Sequence, residues 1–328
     1  MPQQTSEYQT HERTLNRPVH FVGIGLHSGQ SAAMVIQPAP TGTGIQFERT
    51  DVAHGKRVIQ AHWSNVSDTR LCTVLSNPMG VSVATVEHLL AALSGCGVDN
   101  AVVQISGPEV PAVDGSAMPF VRMLESVGSR AQTRPRHYAV MRRPVEISIG
   151  DSYAVAMPDA VPGVTVSINF ADRAVGYQKC RVELTPGAFN SDLASARTFG
   201  FLTDIHPMRA SGRALGASLD NAVLVNRGSV VNPEGLRFAD EFVRHKALDL
   251  VGDMSLLGVR FVGHILAHRP SHRLNSSLLV AMLSEHNAVD YMTAADLLGY
   301  AGTRGGRADF RRRADTLAAL VNPARGDR

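Results

Sequence analysis

The chain is 328 residues long, 44% hydrophobic and 19% charged, a balance that excludes a fibrous protein or one dominated by disorder. Its 32 basic and 29 acidic residues leave a formal charge of +3, too small an excess to argue for nucleic acid, and no nucleic-acid partner is expected. The three cysteines, Cys72, Cys96 and Cys180, contain no CxxC spacing, which excludes a disulfide framework or a cysteine-rich metal site and fits a reducing compartment.

The chain opens on a polar segment, MPQQTSEYQTHERTLNRP, with no apolar run suited to a signal peptide or membrane helix, so a cytoplasmic protein without a transmembrane segment is expected. A single core seldom grows past roughly 250 to 300 residues, so two domains are expected. The first, over 14–133, starts with strand-like text from Val19 and reaches TVEHLLAALSG, a helix that Thr85 is placed to cap. The β-branched run NAVVQISG, a turn at DGS and a second helix, AMPFVRMLESVG, complete it. SRAQTRPR has the composition of a linker, with a boundary near Arg134. The second domain, over 134–290, resumes strand-like at HYAVMRRPVEISIG and closes in the same order: helix (DEFVRHKALDLVGD), strand (RFVGHILAHRP), helix (LNSSLLVAMLSEH). Two similar halves follow. Residues 291–328 lose their strand signals and read as a basic appendix, with Phe310, Ala314, Leu317 and Val321 at helical spacing and no assigned function.

The helix from Asp240 to Gly258 carries the most chemistry. Val243, Ala247, Leu250, Val251, Met254 and Leu257 form one apolar stripe, and His245 and Asp249 lie nearly opposite it, one turn apart, with Asp253 a turn further on. Such a face is usually solvated, but Phe242 and Leu256 share it, so it is expected to be covered, and a covered histidine beside a carboxylate needs a partner. A metal ion is one such partner, although HxxxD alone arises often by chance. Glu87 and His88 open the helix of the first half, where His88 offers a third ligand and Glu87 a neighbouring base; by itself this dipeptide is more often structural. His264, His268 and His272 recur at intervals of four, but Pro270 and the alternating text favour a strand running into a loop, so they share no helical stripe. His264 and His268 are read as structural, and His272, in the loop, as a general acid with Asp253 as its charge partner.

TVEHLLAALSG, VDGSAMPF, SARTFGF, GLRFADEFVRHKALDLVGD and SHRLNSSLL, with GIGLHSG near the start, resemble the signature segments of the UDP-3-O-acyl-N-acetylglucosamine deacetylase family, from about Thr14 to Ala288. The resemblance implies a zinc amidase of lipid A biosynthesis, a hydrolase that removes acetate from a UDP-linked, 3-O-acylated amino sugar. It implies an α+β fold of two similar domains, each a sheet packed with two helices, the helices sandwiched between the sheets and zinc in the interdomain cleft. Position by position, the metal ligands fall on His88, His245 and Asp249, the base on Glu87, and the catalytic histidine on His272 with Asp253 behind it. Thr198 falls where an oxyanion is stabilised, and Lys246, next to the ligand His245, would place a positive charge near the substrate's anionic portion or the forming intermediate. An inserted β-α-β element near 200–225 is implied to form the acyl passage, with Ile205, Ala214, Ser218, Leu219 and Ala222 at its lining and Phe199 against the sugar or acyl linkage. Leu71, Cys72 and Phe170 are further substrate contacts, in segments where Arg70 and Ala171-Asp172-Arg173 depart from the usual family text. Zn²⁺ is the implied cofactor; the same N and O donors also accept Fe²⁺. A monomer is expected.

Overall fold

A computed structural model describes residues 9–301 except 186, so the basic helix expected at 308–321 lies outside the described residues. The fold is α+β, as expected. One five-stranded sheet runs, across its width, Val19–Ile24, Ser31–Pro38, Ala101–Ile105, Ile45–Arg49, Val58–Gln60. A second runs Val145–Ile149, Ser152–Met157, His264–His268, Gly163–Asn169, Tyr177–Glu183. The two orders are the same: in each, the strand last in sequence sits at the centre, antiparallel to the second strand and parallel to the third.

Alternation decides which face of each sheet is buried. Met34, Ile36, Phe47, Val103 and Ile105 project inward from the first sheet, and Ala154, Ala156, Val164, Val166, Ile265 and Ala267 from the second. His264 and His268 fall on the opposite face of the second sheet, where Thr165 Oγ1 (2.8 Å) and Ser167 Oγ (2.9 Å) satisfy them. Burial pushes His264 down to about 4, so it stays neutral.

Among the described residues, four helices fill the space between the sheets: α1 (Glu87–Gly95), α2 (Met118–Val127), and, after the short α3 (Ala188–Asp192) and α4 (Leu202–Ala210), α5 (Glu241–Met254) and α6 (His272–Ser284). α1 packs chiefly on α5, α2 touches the first sheet, and α5 and α6 lie on the second. The α1–α5 approach depends on Gly252, because a Cβ there would stand 2.1 Å from the Glu87 carbonyl oxygen. Strand Phe199–Phe201 pairs in parallel with Val223–Asn226, and α4 lies between them in the chain.

Several local expectations change. SRAQTRPR is not a free linker: Ser129–Pro135 is a strand paired antiparallel with His11–Leu15, and its polar text reflects a ribbon largely open to water. Thr85 does not cap α1; its φ is 56°, and its hydroxyl donates instead to Glu109 (2.8 Å). Strand Val289–Thr293 pairs antiparallel with His137–Met141, so the stretch expected to lack strands beyond Asp290 begins inside one. Then α7 (Ala294–Ala301) buries Ala294 and Leu297 against Tyr138, Val140 and Val262.

All three cysteines are free thiols. Burial pushes Cys72 and Cys96 up to about 12 and Cys180 up to about 11, with Glu87 and Glu125 adding to the first two. At pH 8 each is then less than ~1% thiolate, the reactive form. Native protein is expected to resist iodoacetamide while unfolded protein takes up the label at every cysteine; mass-spectrometric labelling of the native fold would refute this.

Candidate metal centre

Gly252, in the last turn of α5, lets the first turn of α1 approach that helix closely, which brings residues of the two halves together. The His88 and His245 rings meet at 87° with centroids 4.9 Å apart. Asp249 Oδ1 stands 3.5 Å from His88 Nε2 and 3.3 Å from His245 Nε2. That oxygen is buried and, among the described residues, accepts no hydrogen bond. Donor atoms held at ~2.0–2.1 Å from a tetrahedral ion lie about 3.3 Å apart, so the orphaned oxygen stands at ligand spacing from each imidazole nitrogen, and all three donors lie within 4.8 Å of one another. His88, His245 and Asp249 thus form a site able to hold a metal ion.

The surroundings prepare each donor. The Ala196 carbonyl lies 3.1 Å from His245 Nδ1 and takes its proton in a hydrogen bond, leaving the Nε2 lone pair facing Asp249. Burial pushes His245 down to about 3 despite the Asp249 charge, so the ring is neutral. Burial opposes the charge on Asp249, but the Lys246 ammonium, whose Nζ donates to Oδ2 over 2.9 Å, helps hold its pKa well below the usual range. Burial works against Lys246 too, and Asp249 raises it regardless. The same ammonium lies 5.8 Å from the centre of the Phe199 ring, which packs edge-on to Phe170 and Phe242.

Beside the three donors stands an acid–base set. Glu87 Oε2 accepts the Thr73 backbone N–H (3.1 Å), and Oε1 faces His272 Nε2 at 3.6 Å. His272 Nδ1 donates to Asp253 Oδ2 over 2.8 Å. Burial pulls His272 down, but Asp253 and Glu87 together raise it to about 10. Glu87 is raised by burial, against the pull of His272 and His88. His272 does not sit in a loop: it is the first residue of α6, and Ser271 caps that helix by accepting the Leu274 N–H (3.2 Å). The cap signal was available in the residues after Pro270.

Thr198 is tied by its backbone N–H to the Gly115 carbonyl (2.8 Å), two residues beyond the Ala196 carbonyl that meets His245. Leu71 is exposed, and Cys72 is buried near Glu87 and Thr85. Ile205 lies on α4, and Ala214, Ser218, Leu219 and Ala222 follow it; among the described residues none of these hydrogen-bonds a member of the charged cluster.

Four residues escaped the sequence reading. Asn275, one helical turn after His272, donates to Asp253 Oδ2 (2.8 Å), and its i, i+3 spacing was a usable signal. Thr73 donates its hydroxyl to Asp253 Oδ1 (2.6 Å). Glu109, the lone acid in an apolar segment, accepts the His27 and Ser28 backbone N–H groups (2.9 and 2.7 Å) and so hangs the GIGLHSG loop beside the site. His27 Nδ1 is buried without a hydrogen-bond partner among the described residues, and burial lowers its pKa against the pull of Glu109.

The family model for UDP-3-O-acyl N-acetylglycosamine deacetylase matches residues 12–284. A protein of Citrifermentans bemidjiense named UDP-3-O-acyl-N-acetylglucosamine deacetylase is 46% identical over 272 residues, 83% of this chain and 88% of its own. Proteins of the same name from Phenylobacterium zucineum (43% over 290 residues, 88% of this chain and 99% of theirs) and Shewanella oneidensis (42% over 279 residues, 84% and 91%) are similar. With a family model over most of its length and relatives above 40% identity, the chain belongs to the UDP-3-O-acyl-N-acetylglucosamine deacetylase family.

Proposed function

We propose that the chain hydrolyses the acetamide of a UDP-3-O-acyl-N-acetylglucosamine, releasing acetate and the free 2-amino sugar nucleotide, as a step of lipid A biosynthesis. The observation that carries this reading is the orphaned Asp249 oxygen, flanked by two imidazole nitrogens and adjoining the Glu87–His272–Asp253 set, in a chain of this family. His88, His245 and Asp249 would hold Zn²⁺, or Fe²⁺ when that ion is supplied, between the two domains, which meet near residue 134. When bound, the ion supplies Lewis acidity and a lowered pKa for water.

The chain's own groups divide the remaining work. Glu87 Oε2 is held by the Thr73 N–H, so Oε1 is left to take a proton from the attacking water. The Thr198 hydroxyl and Lys246 ammonium stabilise negative charge developing on the carbonyl oxygen. His272, charged at neutral pH and held through Nδ1 by Asp253, delivers the Nε2 proton to the departing amine. Leu71, Cys72, Phe170 and Phe199 contact the sugar nucleotide, and Ile205, Ala214, Ser218, Leu219 and Ala222 receive the acyl chain. Among the described residues no helix is long and apolar enough to cross a membrane. The three free thiols are compatible with a reducing cytoplasm, where the chain is proposed to work as a monomer.

The test is turnover of the acylated substrate, and of the same sugar nucleotide lacking the acyl chain, by protein of known metal content. Glu87→Gln and His272→Ala are each expected to lose roughly 10²- to 10⁴-fold in kcat while retaining the ion. No turnover by fully metallated wild-type protein would overturn the substrate assignment, and full activity in either variant would overturn that residue's role.

A further inference from the structure

Thr73 is 2% exposed, immediately precedes strand Val74–Ser76, and makes two contacts with different helices. Its backbone N–H donates to Glu87 Oε2 on α1 (3.1 Å), and its hydroxyl donates to Asp253 Oδ1 on α5 (2.6 Å). We infer that Thr73 is a positioning residue that sets the orientations of both carboxylates at once, coupling the base to the partner of the acid; this rests on the deacetylase reading above.

The distribution of donors on Asp253 makes the hydroxyl hard to replace. His272 Nδ1 and Asn275 Nδ2 both bind Oδ2, each over 2.8 Å, and among the described residues Thr73 is the donor to Oδ1. Without that hydroxyl a buried carboxylate oxygen loses its donor, which is costly in a low-dielectric site. The carboxylate then turns to share its remaining donors, and the His272 ring, fixed through Oδ2, turns with it. Glu87 feels the same change through the Thr73 main chain. A hydroxyl that filled space alone would touch neither carboxylate.

Thr73→Val keeps the shape and the backbone N–H but removes the hydroxyl, whereas Thr73→Ser keeps the hydroxyl. Thr73→Val is expected to lower kcat about 10- to 100-fold with KM and bound metal unchanged, and Thr73→Ser to stay within about threefold of wild type. On an Asp253→Asn background, Thr73→Val should cost little more, because the group it orients is gone. The low-field proton resonance of His272 Nδ1, read on the metallated protein without substrate, should shift or vanish in Thr73→Val and persist in Thr73→Ser. Wild-type kcat in Thr73→Val, equal losses in both variants, fully additive losses with Asp253→Asn, or an unmoved resonance would each overturn the inference. Absence of turnover in wild type would count against the deacetylase reading instead, and the resonance would still decide the role of Thr73.

Discussion

Asp249→Ala is expected to yield a folded protein that no longer retains a metal ion through dialysis and whose turnover has dropped by at least ~10³-fold. Asp249 Oδ1 is the atom both imidazoles face, at 3.3 and 3.5 Å, so removing it leaves two neutral nitrogens and no anionic donor. The ion's Lewis acidity is worth several kcal/mol at the transition state, and each 1.36 kcal/mol is about tenfold in rate. Lys246 loses its 2.9 Å partner in the same variant, leaving a cation facing an emptied pocket. Asp249→Asn separates the two effects: it preserves volume and a carbonyl oxygen but not the charge, and should bind metal more weakly than wild type without losing it entirely. Elemental analysis of both variants beside wild type is the measurement, and stoichiometric metal in Asp249→Ala would remove this residue from the ligand set.

Arg197→Leu is expected to destabilise the protein by about 3–5 kcal/mol, the usual result of leaving one partner of a buried ion pair unmatched. The Arg197 side chain is 2% exposed and that of Glu241 is fully buried, joined at 2.9 Å through Nε and 3.1 Å through Nη2. Glu241 also accepts the backbone N–H groups of Arg197 (3.0 Å) and Arg237 (2.6 Å). One carboxylate at the start of α5 therefore fixes the segment that presents the Ala196 carbonyl to His245 and carries Thr198. Loss of the arginine should thus lower the urea midpoint and weaken metal retention together. Replacing both residues by apolar ones of similar volume removes the unpaired charge but leaves the Arg197 and Arg237 N–H groups without their acceptor, so it should recover only part of the stability. Equal midpoints for wild type and Arg197→Leu would refute the argument.

How far the chain could be read from its residues depended on the range of the interactions involved. His245, Asp249 and Asp253 were legible because the 3.6-residue period puts them on one helical face, and Phe242 and Leu256 marked that face as covered; all are buried. His88 could be offered as a third ligand from the residues, but not the approach of two helices at Gly252 that brings it there, because a glycine in a helix gives no sign of what its missing side chain permits. Thr73 was invisible for the same reason, since its partner Asp253 is 180 residues away. His272 meets its expected neighbour Asp253 but on a different element, because Pro270 favours a strand running into a loop whereas the cap at Ser271 starts a helix. Ser129–Pro135 escaped as a strand because a ribbon exposed on both faces carries no hydrophobic alternation. The order of strands was beyond reach, since pairing across a sheet leaves no local pattern.

That order also governs how the chain can fold as it is made. In the second sheet the hairpins Val145–Met157 and Gly163–Glu183 flank a gap that only His264–His268 fills, and Gly163 waits for His264 as its neighbour. A nascent chain therefore carries two unjoined ribbons, each with an open edge, through the synthesis of α3, α4 and α5. The first sheet is complete once Ile105 has emerged, so synthesis is safe early and exposed late, and the interval before residue 268 is where a chaperone has most to protect.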